Sequence, residues 1–371
     1  MRRINLDRLC KNIDLIAKSD LDENKVFGSS YAVHQEGVPL LRRHYGVGNP
    51  ELGIDTDDGT IYRLASMTKP VTGMALLMLV DRGLISLDTP AKRYIPEFDG
   101  VTVVTPEGED LGTAKKDVTV LHLLTHTSGL GVSKPDRMTD SDRADYESSL
   151  RYYISQGLDF EPFTMQAYSG VAAFDALGLI VERVTGERFE TFCRREIFEP
   201  LGMNDTTFTP NAEQWSRMTA MHNRTVGVSR LGKTYEGCVF ERIPASHAPA
   251  GAGLASTLGD YVRFAEALLN EGGGLVSRRG FALYHSALVP DEVMNNRLHN
   301  WGFGVRVITS EDYGTLPVGS FGWSGAYGTH FWVDPVNRIT AVFMKNSRFD
   351  GGAGNKSAKA FEIAVSDALE V

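Results

Sequence analysis

The sequence predicts an α/β fold with two lobes, in which a mainly helical lobe is inserted into a lobe built around a sheet. Strand patterns occur near both ends of the chain, helix patterns dominate the middle, and a helix pattern stands at each terminus. Strands from both ends can share one sheet only if the two ends fold together. We therefore expect residues 1–95 and 240–371 to form the α/β lobe and residues 96–239 the helical lobe.

The first predicted elements are a helix, a hairpin and a buried helix. The segment MRRINLDRLCKNIDLIAKSD is amphipathic, and FGSSYAVHQEG and PLLRRHYGVGN are two strand patterns joined by a turn that contains glycine. The run MTKPVTGMALLMLVDRG, which follows Ser66, is apolar on nearly every face. It predicts a helix buried within the protein that ends near Gly83.

The later elements return from helices to strands. In the middle, VAAFDALGLIVERVTG predicts a helix that Gly186 caps at its C-terminal end. The final third has strand patterns in WGFGVRVIT, in GSFGWSGAYG and in THFWVDPVNRITAVFMKN, the last folding around an Asp-Pro-Val-Asn turn. Its glycines predict that FGWSGAYGTHFWVDP is an edge strand with a bend. The pattern SAKAFEIAVSDALE predicts the last helix.

Composition excludes several classes of protein. The chain has 371 residues, 42% hydrophobic and 23% charged, as is typical of a globular protein with one or two tightly joined domains. A formal charge of −9 without a Lys/Arg block argues against a nucleic-acid partner. The three distant cysteines, Cys10, Cys193 and Cys238, indicate neither a disulfide framework nor a thiolate metal site. The N-terminal segment has no signal-peptide or membrane-span pattern, so we expect a cytoplasmic protein with no membrane partner.

A serine and a lysine stand three residues apart where the buried helix begins. Residues at i and i+3 lie on the same side of a helix, so the Ser66 hydroxyl and the Lys69 amine are expected to be neighbours. A serine becomes a strong nucleophile when a neighbour takes its proton, and a lysine does so when burial lowers its pKa. Ser66 is the only serine in the chain with a lysine at this offset. The pair is therefore the candidate nucleophile and base.

Two other segments carry groups that such a nucleophile needs. Tyr168 lies among small residues just before a helix, and a phenol near a lysine can relay protons, although a lone tyrosine is more often structural. In GWSGAYG the glycines allow the backbone to approach a ligand closely. A backbone N–H there can form an oxyanion hole with the N–H of Ser66; a tight structural corner is the alternative.

Taken together, six segments resemble the serine hydrolases of the class C β-lactamase and penicillin-binding-protein type, and in their motifs the family VIII carboxylesterases in particular. The segments are SMTK, LLTHTSGL, YSGVAAFDALGLIVERVTG, IFEPLGMNDTTF, GAGLASTLGDYVRFAEALLN and GWSGAYGTHFWVDP. The resemblance implies a β-lactamase/transpeptidase-like fold, with an antiparallel sheet flanked by helices and an all-helical lobe. It places the site in the crevice between the lobes.

The resemblance also implies a role for each matching residue. Ser66 is expected to be the acyl-forming nucleophile, Lys69 its base, and Tyr168 the second acid/base group. The backbone of Ala326 is expected to pair with that of Ser66 as the oxyanion hole. No cofactor or metal is expected.

The departures from the family pattern bear on the substrate. Lactamases carry an asparagine where this chain has Gly170, and Lys-Thr-Gly or His-Thr-Gly where it has Trp323, Ser324 and Gly325. The side chains that hold a lactam carboxylate are therefore missing. An indole instead suits a neutral acyl or alkoxy group, so we expect these four residues to bind an ester.

Other motifs have weaker support. His122 and His126 have a spacing that can bind zinc, but no adjacent glutamate or third ligand accompanies them, and His126 is expected to organise its loop by hydrogen bonds. GWSGA approaches the nucleophile-elbow pattern around Ser324 but lacks its last glycine. DTDDG at 55–59 has too few ligands for a calcium loop and predicts a turn.

The sequence therefore predicts a serine hydrolase that cleaves esters of small or medium acyl groups through an acyl-enzyme on Ser66. An amidase or D-amino-acid peptidase and a weak β-lactamase are alternatives that use the same Ser-Lys-Tyr arrangement. The acceptor of the acyl group is left open between water and another molecule. The expected partner is a small-molecule ester or amide, and a homodimer is left open.

Overall fold

The computed structural model describes residues 1–50, 52–133, 138–139, 141–222, 249–348, 351–352 and 354–370. Cys238 and the lobe boundary predicted at 239/240 lie outside these residues, and both predicted lobe boundaries stay predictions. Among the described residues, no helix is both long enough and apolar enough to cross a bilayer.

The strands of the described chain form one large sheet and two small ones. They are β1 (Gly28–Gln35), β2 (Val38–Asn49), β3 (Ile54–Asp55), β4 (Ile61–Arg63), β5 (Thr102–Val104), β6 (Asp110–Thr113), β7 (Ala255–Thr257), β8 (His299–Trp301), β9 (Arg306–Ile308), β10 (Phe321–Ser324), β11 (His330–Asp334) and β12 (Ile339–Lys345). The large sheet is antiparallel, with the order β3-β2-β1-β12-β11-β10-β9-β8. Strands from both ends of the chain therefore share one sheet, and β1 pairs with β12 at its centre.

β10 lies inside the sheet, between β9 and β11, so the prediction of an edge strand is wrong. Its glycines serve close strand packing instead. A Cβ at Gly322 would lie 2.1 Å from the Phe331 carbonyl oxygen of β11. Glycine in a strand pattern indicates close approach of another backbone, which occurs at an edge or, as here, within the sheet.

The helices cover the sheet and fill the middle of the chain. They are α1 (Leu6–Asp22), α2 (Thr68–Asp81), α3 (Val120–Leu124), α4 (Tyr146–Ser155), α5 (Ala172–Thr185), α6 (Phe189–Cys193), α7 (Glu199–Leu201), α8 (Ala212–Ser216), α9 (Leu258–Leu269), α10 (Arg278–Tyr284) and α11 (Lys356–Asp367). The predicted helical region also contains the β5–β6 hairpin.

The two faces of the sheet pack against different helices. α1 buries the stripe Leu9, Ile13 and Ala17 and packs with α11, in a cluster that includes Trp332. α9 belongs to the other cluster, which includes the neighbouring Phe331. Successive side chains of a strand point to opposite faces, so helices cover both sides of β11.

α2 lies in the core, as its composition predicts, and packs against α5 and α10. The loop between β8 and β9 contacts its backbone. A Cβ at Gly73 would lie 2.0 Å from the Phe303 carbonyl oxygen, and one at Gly304 would lie 2.3 Å from the Lys69 carbonyl oxygen. These glycines allow the loop to contact the first turns of α2, where the candidate base lies.

Candidate active site

Ser66 lies in a single 3₁₀ turn that leads directly into α2. The preceding residue, Ala65, has a φ of 46°, in the left-handed region that costs a residue with a Cβ about 1–2 kcal/mol. Thr68 Oγ1 donates to the Ala65 carbonyl oxygen at 2.6 Å. The Tyr261 hydroxyl donates to the Met67 carbonyl oxygen at 2.8 Å. Because such strain persists only where the surroundings enforce it, these bonds hold the serine turn in one conformation.

The Lys69 amine is fully buried and contacts three oxygen atoms. Nζ lies 2.5 Å from the Gly170 carbonyl oxygen, 2.9 Å from that of Gly251 and 3.4 Å from Ser66 Oγ. A carbonyl oxygen only accepts, so two N–H groups of the amine point at the carbonyls and its third direction faces Ser66 Oγ.

Tyr168 lies in the loop before α5, beside this amine. Lys69 Nζ is 5.0 Å from the centroid of the phenol ring. Trp323 Nε1 donates to the Tyr168 hydroxyl oxygen at 3.1 Å, and an N–H donor at this atom stabilises negative charge that develops there. The structure therefore brings Ser66, Lys69 and Tyr168 into one site.

Aromatic rings form one wall of this site. The ring centroid of Trp301 lies 5.9 Å from that of Tyr168 and 4.6 Å from that of Trp323. Space is open at Gly170, whose carbonyl accepts from the amine, because a Cβ there would meet no atom within 4 Å. The site thus offers an apolar wall and free space beside the candidate base.

β10 presents consecutive residues to opposite faces of the sheet. The Trp323 indole reaches Tyr168, whereas the buried Ser324 hydroxyl hydrogen-bonds with His330 Nδ1 at 2.7 Å. The structure therefore brings Trp323 to the site but does not bring the Ser324 side chain there.

The turn after β10 contacts the serine turn. A Cβ at Gly325 would lie 2.1 Å from the carbonyl oxygen of Leu64, and Thr329 Oγ1 donates to the same oxygen at 2.9 Å. Ala326 follows Gly325 and is exposed. The oxyanion hole formed by the Ser66 and Ala326 backbones stays a prediction, and this contact places their two turns against each other.

Asp175, which sequence reasoning missed, lies beneath the candidate base. Its Oδ1 accepts from the Gly251 N–H at 3.0 Å, and the carbonyl of that same glycine accepts from Lys69 Nζ. Burial raises the pKa of Asp175 to about 7, against the opposing influence of the Gly251 N–H and the Lys69 charge. A carboxyl in the otherwise apolar run AAFDALGLIV was the signal that could have identified it.

The two histidines with zinc-like spacing each accept from a backbone N–H. His122 Nδ1 accepts from Thr119 at 3.2 Å, and His126 Nδ1 accepts from Ser169 at 3.1 Å. In the part of the chain that the structure describes, no three His, Cys, Asp or Glu residues are grouped so that they could hold a metal ion. The hydrogen bond of His126 agrees with its expected role in organising a loop.

Comparison with known proteins assigns these features to a family. A family model described as Beta-lactamase matches residues 13–364. The chain is 30% identical to Esterase EstB of Burkholderia gladioli, in an alignment that covers 97% of this chain and 95% of the relative. The resemblance predicted from the motifs is confirmed.

Solved structures show the same fold. EstCE1, described as a hydrolase with promiscuous acyltransferase activity, superposes with a TM-score of 0.80 at 22% identity and covers 98% of each chain. A family VIII carboxylesterase superposes with a TM-score of 0.76 at 23% identity and covers 97% of each chain. At these identities the likeness concerns the fold alone, and it confirms the predicted fold class.

Proposed function

Because the chain belongs to the beta-lactamase family, we propose that it is a carboxylesterase-like serine hydrolase that cleaves esters of small or medium acyl groups. One observation carries the proposal: Lys69 Nζ is buried 3.4 Å from Ser66 Oγ, with two carbonyl oxygens as its other neighbours. This arrangement directs a proton acceptor at one serine.

The first half-reaction forms an acyl-enzyme. Lys69, assisted by Tyr168, takes the Ser66 proton while Oγ bonds to the ester carbonyl carbon. The backbone N–H groups of Ser66 and Ala326 hold the negative charge of the tetrahedral oxygen. Tyr168 then protonates the alkoxy oxygen, the carbon–oxygen bond breaks and the alcohol leaves.

The second half-reaction frees the enzyme. Lys69 and Tyr168 take a proton from water, whose oxygen attacks the acyl carbon. The bond to Ser66 Oγ breaks, the proton returns to that oxygen, and a carboxylic acid is released. Both half-reactions use side chains and backbone N–H groups of this chain.

The walls of the site favour a neutral ester as substrate. Trp323 occupies the position at which lactamase relatives carry a polar or cationic residue, and its N–H is engaged by the Tyr168 hydroxyl. An apolar ring contributes to the binding of an acyl or alkoxy group but gives no ion pair to a lactam carboxylate. We propose a small-molecule ester as the natural substrate.

The test is a substrate panel assayed on wild type and on Ser66→Ala. The panel contains p-nitrophenyl esters of rising acyl length, nitrocefin, and amino-acid p-nitroanilides. We expect ester turnover to exceed the others and to fall at least about 10³-fold in Ser66→Ala, because the nucleophile is lost. Ser155→Ala, which changes an exposed serine at the end of α4, is the matched control and keeps wild-type turnover.

Each alternative has its own outcome in this panel. Ester turnover retained by Ser66→Ala would disprove the assigned nucleophile. Nitrocefin turnover above that of p-nitrophenyl butyrate would establish a β-lactamase, and preferred cleavage of a D-alanyl anilide would establish a peptidase. Absence of turnover together with absence of labelling by a fluorophosphonate would establish a binding protein.

We also propose a cytoplasmic location. In support, Cys10 and Cys193 are free thiols, and Cys193 is buried. A reducing compartment preserves such thiols. Fractionation of the source cells tests the proposal, and recovery of the protein outside the cytoplasm would refute it.

A further inference from the structure

His126 holds the backbone on both sides of Tyr168. The Ala167 N–H donates to the His126 carbonyl oxygen at 2.9 Å. The Ser169 N–H donates to His126 Nδ1 at 3.1 Å. These two donors immediately precede and follow the tyrosine, so one histidine fixes the peptide groups that orient residue 168.

The ring of His126 is held in one protonation state. A backbone N–H only donates, so Nδ1 is an unprotonated acceptor and the ring proton lies on Nε2. Burial, and then the charge of Lys69, hold the pKa of His126 well below its usual range. An imidazolium would have to donate from both nitrogens, and the Ser169 N–H would lose its acceptor.

Aromatic rings clamp the imidazole on several sides. Tyr168 lies 4.5 Å and Phe174 5.3 Å from it, measured between ring centroids. Trp301 lies 4.6 Å away with its plane turned by 70°. Nε2 has no hydrogen-bond partner among the described residues.

The backbone of His126 is itself specialised for this position. Its φ is 58°, in the left-handed region, where histidine and asparagine occur more often than most other residues with a side chain. In this conformation its carbonyl oxygen and its ring accept from the same loop. The backbone conformation of His126 therefore allows it to make both hydrogen bonds with residues 167–169.

We propose that His126 is a positioning residue for Tyr168, holding the phenol against Trp323 and Lys69 through the two flanking peptide N–H groups. The inference rests on the proposed function, in which Tyr168 relays protons. His126 need not contact the substrate to play this role. Displacing a catalytic group by about 1 Å can lower the reaction rate about 10²-fold. We therefore expect the loss of His126 to lower kcat.

The experiment compares His126→Phe with His126→Asn, each alone and combined with Tyr168→Phe. Phenylalanine keeps an aromatic ring but removes the acceptor. Asparagine keeps an acceptor oxygen near the position of Nδ1 and tolerates the left-handed backbone. The assay is p-nitrophenyl butyrate hydrolysis, with thermal unfolding and the p-nitrophenol burst measured to give the folded, active fraction.

We expect His126→Phe to lower kcat per active site by about 10- to 100-fold with KM changed by less than about threefold. His126→Asn should recover most of this loss. In the Tyr168→Phe background the effect of His126→Phe should shrink to less than about threefold, because the group that it positions is gone.

Equal losses in both single variants, a loss confined to KM, or the full loss persisting beside Tyr168→Phe would overturn the inference. A wild-type kcat in His126→Phe would do so as well. If instead Ser66→Ala keeps ester turnover, the proposed function itself fails. The two failures are therefore distinguishable.

Discussion

At the scale of single residues, Asp175 links the buried interior to the candidate base. Its carboxyl group and the Lys69 amine bind the N–H and the carbonyl of the same residue, Gly251. Burial keeps its pKa raised, so its charge changes within the pH range of an ordinary assay. The residue therefore couples stability to pH at the site.

We predict that Asp175→Asn reduces the loss of stability that accompanies rising pH. The pKa of Asp175 is about 7 in the folded protein against an ordinary value of 3.8, so between pH 3.8 and about pH 7 the folded state binds a proton that the unfolded state releases. Stability from this group is full below about pH 4 and is lost as pH rises through about 7, by a few kcal/mol at most. Thermal unfolding of both proteins at pH 4.5 and pH 8 measures the effect.

The melting temperature of Asp175→Asn relative to wild type should rise between these two pH values. Asp291→Asn, in an exposed loop, should follow wild type at both. A difference between Asp175→Asn and wild type that is the same at pH 4.5 and pH 8 would show that Asp175 does not change its charge in this range.

At the scale of elements, the contact between α2 and the β8–β9 loop holds the helix turn that carries Lys69, the candidate base. Gly304 in this loop has a φ of 71°, and its missing Cβ leaves room for the Lys69 carbonyl oxygen. The first turn of α2 therefore depends on a glycine more than 200 positions further along the chain.

We predict that Gly304→Ala both destabilises the protein and lowers esterase activity. The added Cβ would lie 2.3 Å from the Lys69 carbonyl oxygen, so the helix turn or the loop must move. We expect a loss of at least about 2 kcal/mol and a fall in kcat of at least about tenfold. Urea unfolding and p-nitrophenyl butyrate hydrolysis measure the two effects.

Gly83→Ala is the matched control for backbone strain. Gly83 has nearly the same φ, 69°, but its Cβ would meet no atom within 4 Å. It should cost about 1 kcal/mol and leave kcat unchanged. Equal losses in the two variants would show that strain alone, rather than contact with α2, explains the effect.

At the scale of the whole molecule, a buried ionic cluster joins the sheet to the last helix. Glu362 of α11 is buried and lies 3.4 Å from an Arg306 nitrogen of β9 and 3.2 Å from His330 Nε2 of β11. Thr315 Oγ1 donates to it at 2.7 Å. Burial alone would raise the pKa of Glu362, but the contacts with His330 and Arg306 outweigh it and hold the pKa below the usual range.

We predict that Glu362→Gln lowers stability at neutral pH and flattens its acid dependence. A carboxylate with a lowered folded pKa stabilises the protein above its unfolded value, 4.5, and this contribution is lost as pH falls below it. Removing one partner of a buried ion pair costs roughly 3–5 kcal/mol. Urea unfolding at pH 7, 5 and 3.5 measures both effects.

The exposed pair of Glu271 and Arg278 is the control for the charge change. Glu271→Gln removes a surface salt bridge with a separation of 2.7 Å, and such pairs contribute about 0–1 kcal/mol. It should leave the pH profile as in wild type. A Glu362→Gln protein as stable as this control would show that the cluster does not join the helix to the sheet.

The sequence by itself determined the local elements and the neighbouring positions of Ser66 and Lys69, the candidate nucleophile and base. Amphipathic spacing predicted α1, a run that is apolar on nearly every face predicted α2, turn residues predicted the hairpins, and the i, i+3 offset predicted that Ser66 and Lys69 would be neighbours. These features depend on interactions between residues that are close in the sequence, and the spacing of apolar and polar residues along the chain indicates them directly. The motifs also identified the family, and the family match and fold comparison confirm that prediction.

Only the tertiary structure decided how distant segments meet. It placed β10 inside the sheet, turned the Ser324 side chain away from the site, and set Asp175 beneath Lys69, the candidate base. Each outcome depends on packing between segments that are far apart in the chain. Contacts between such segments leave no periodic pattern in the amino-acid sequence. Local spacing therefore predicts which residues share a helix or strand, whereas close packing of separate elements decides what surrounds them.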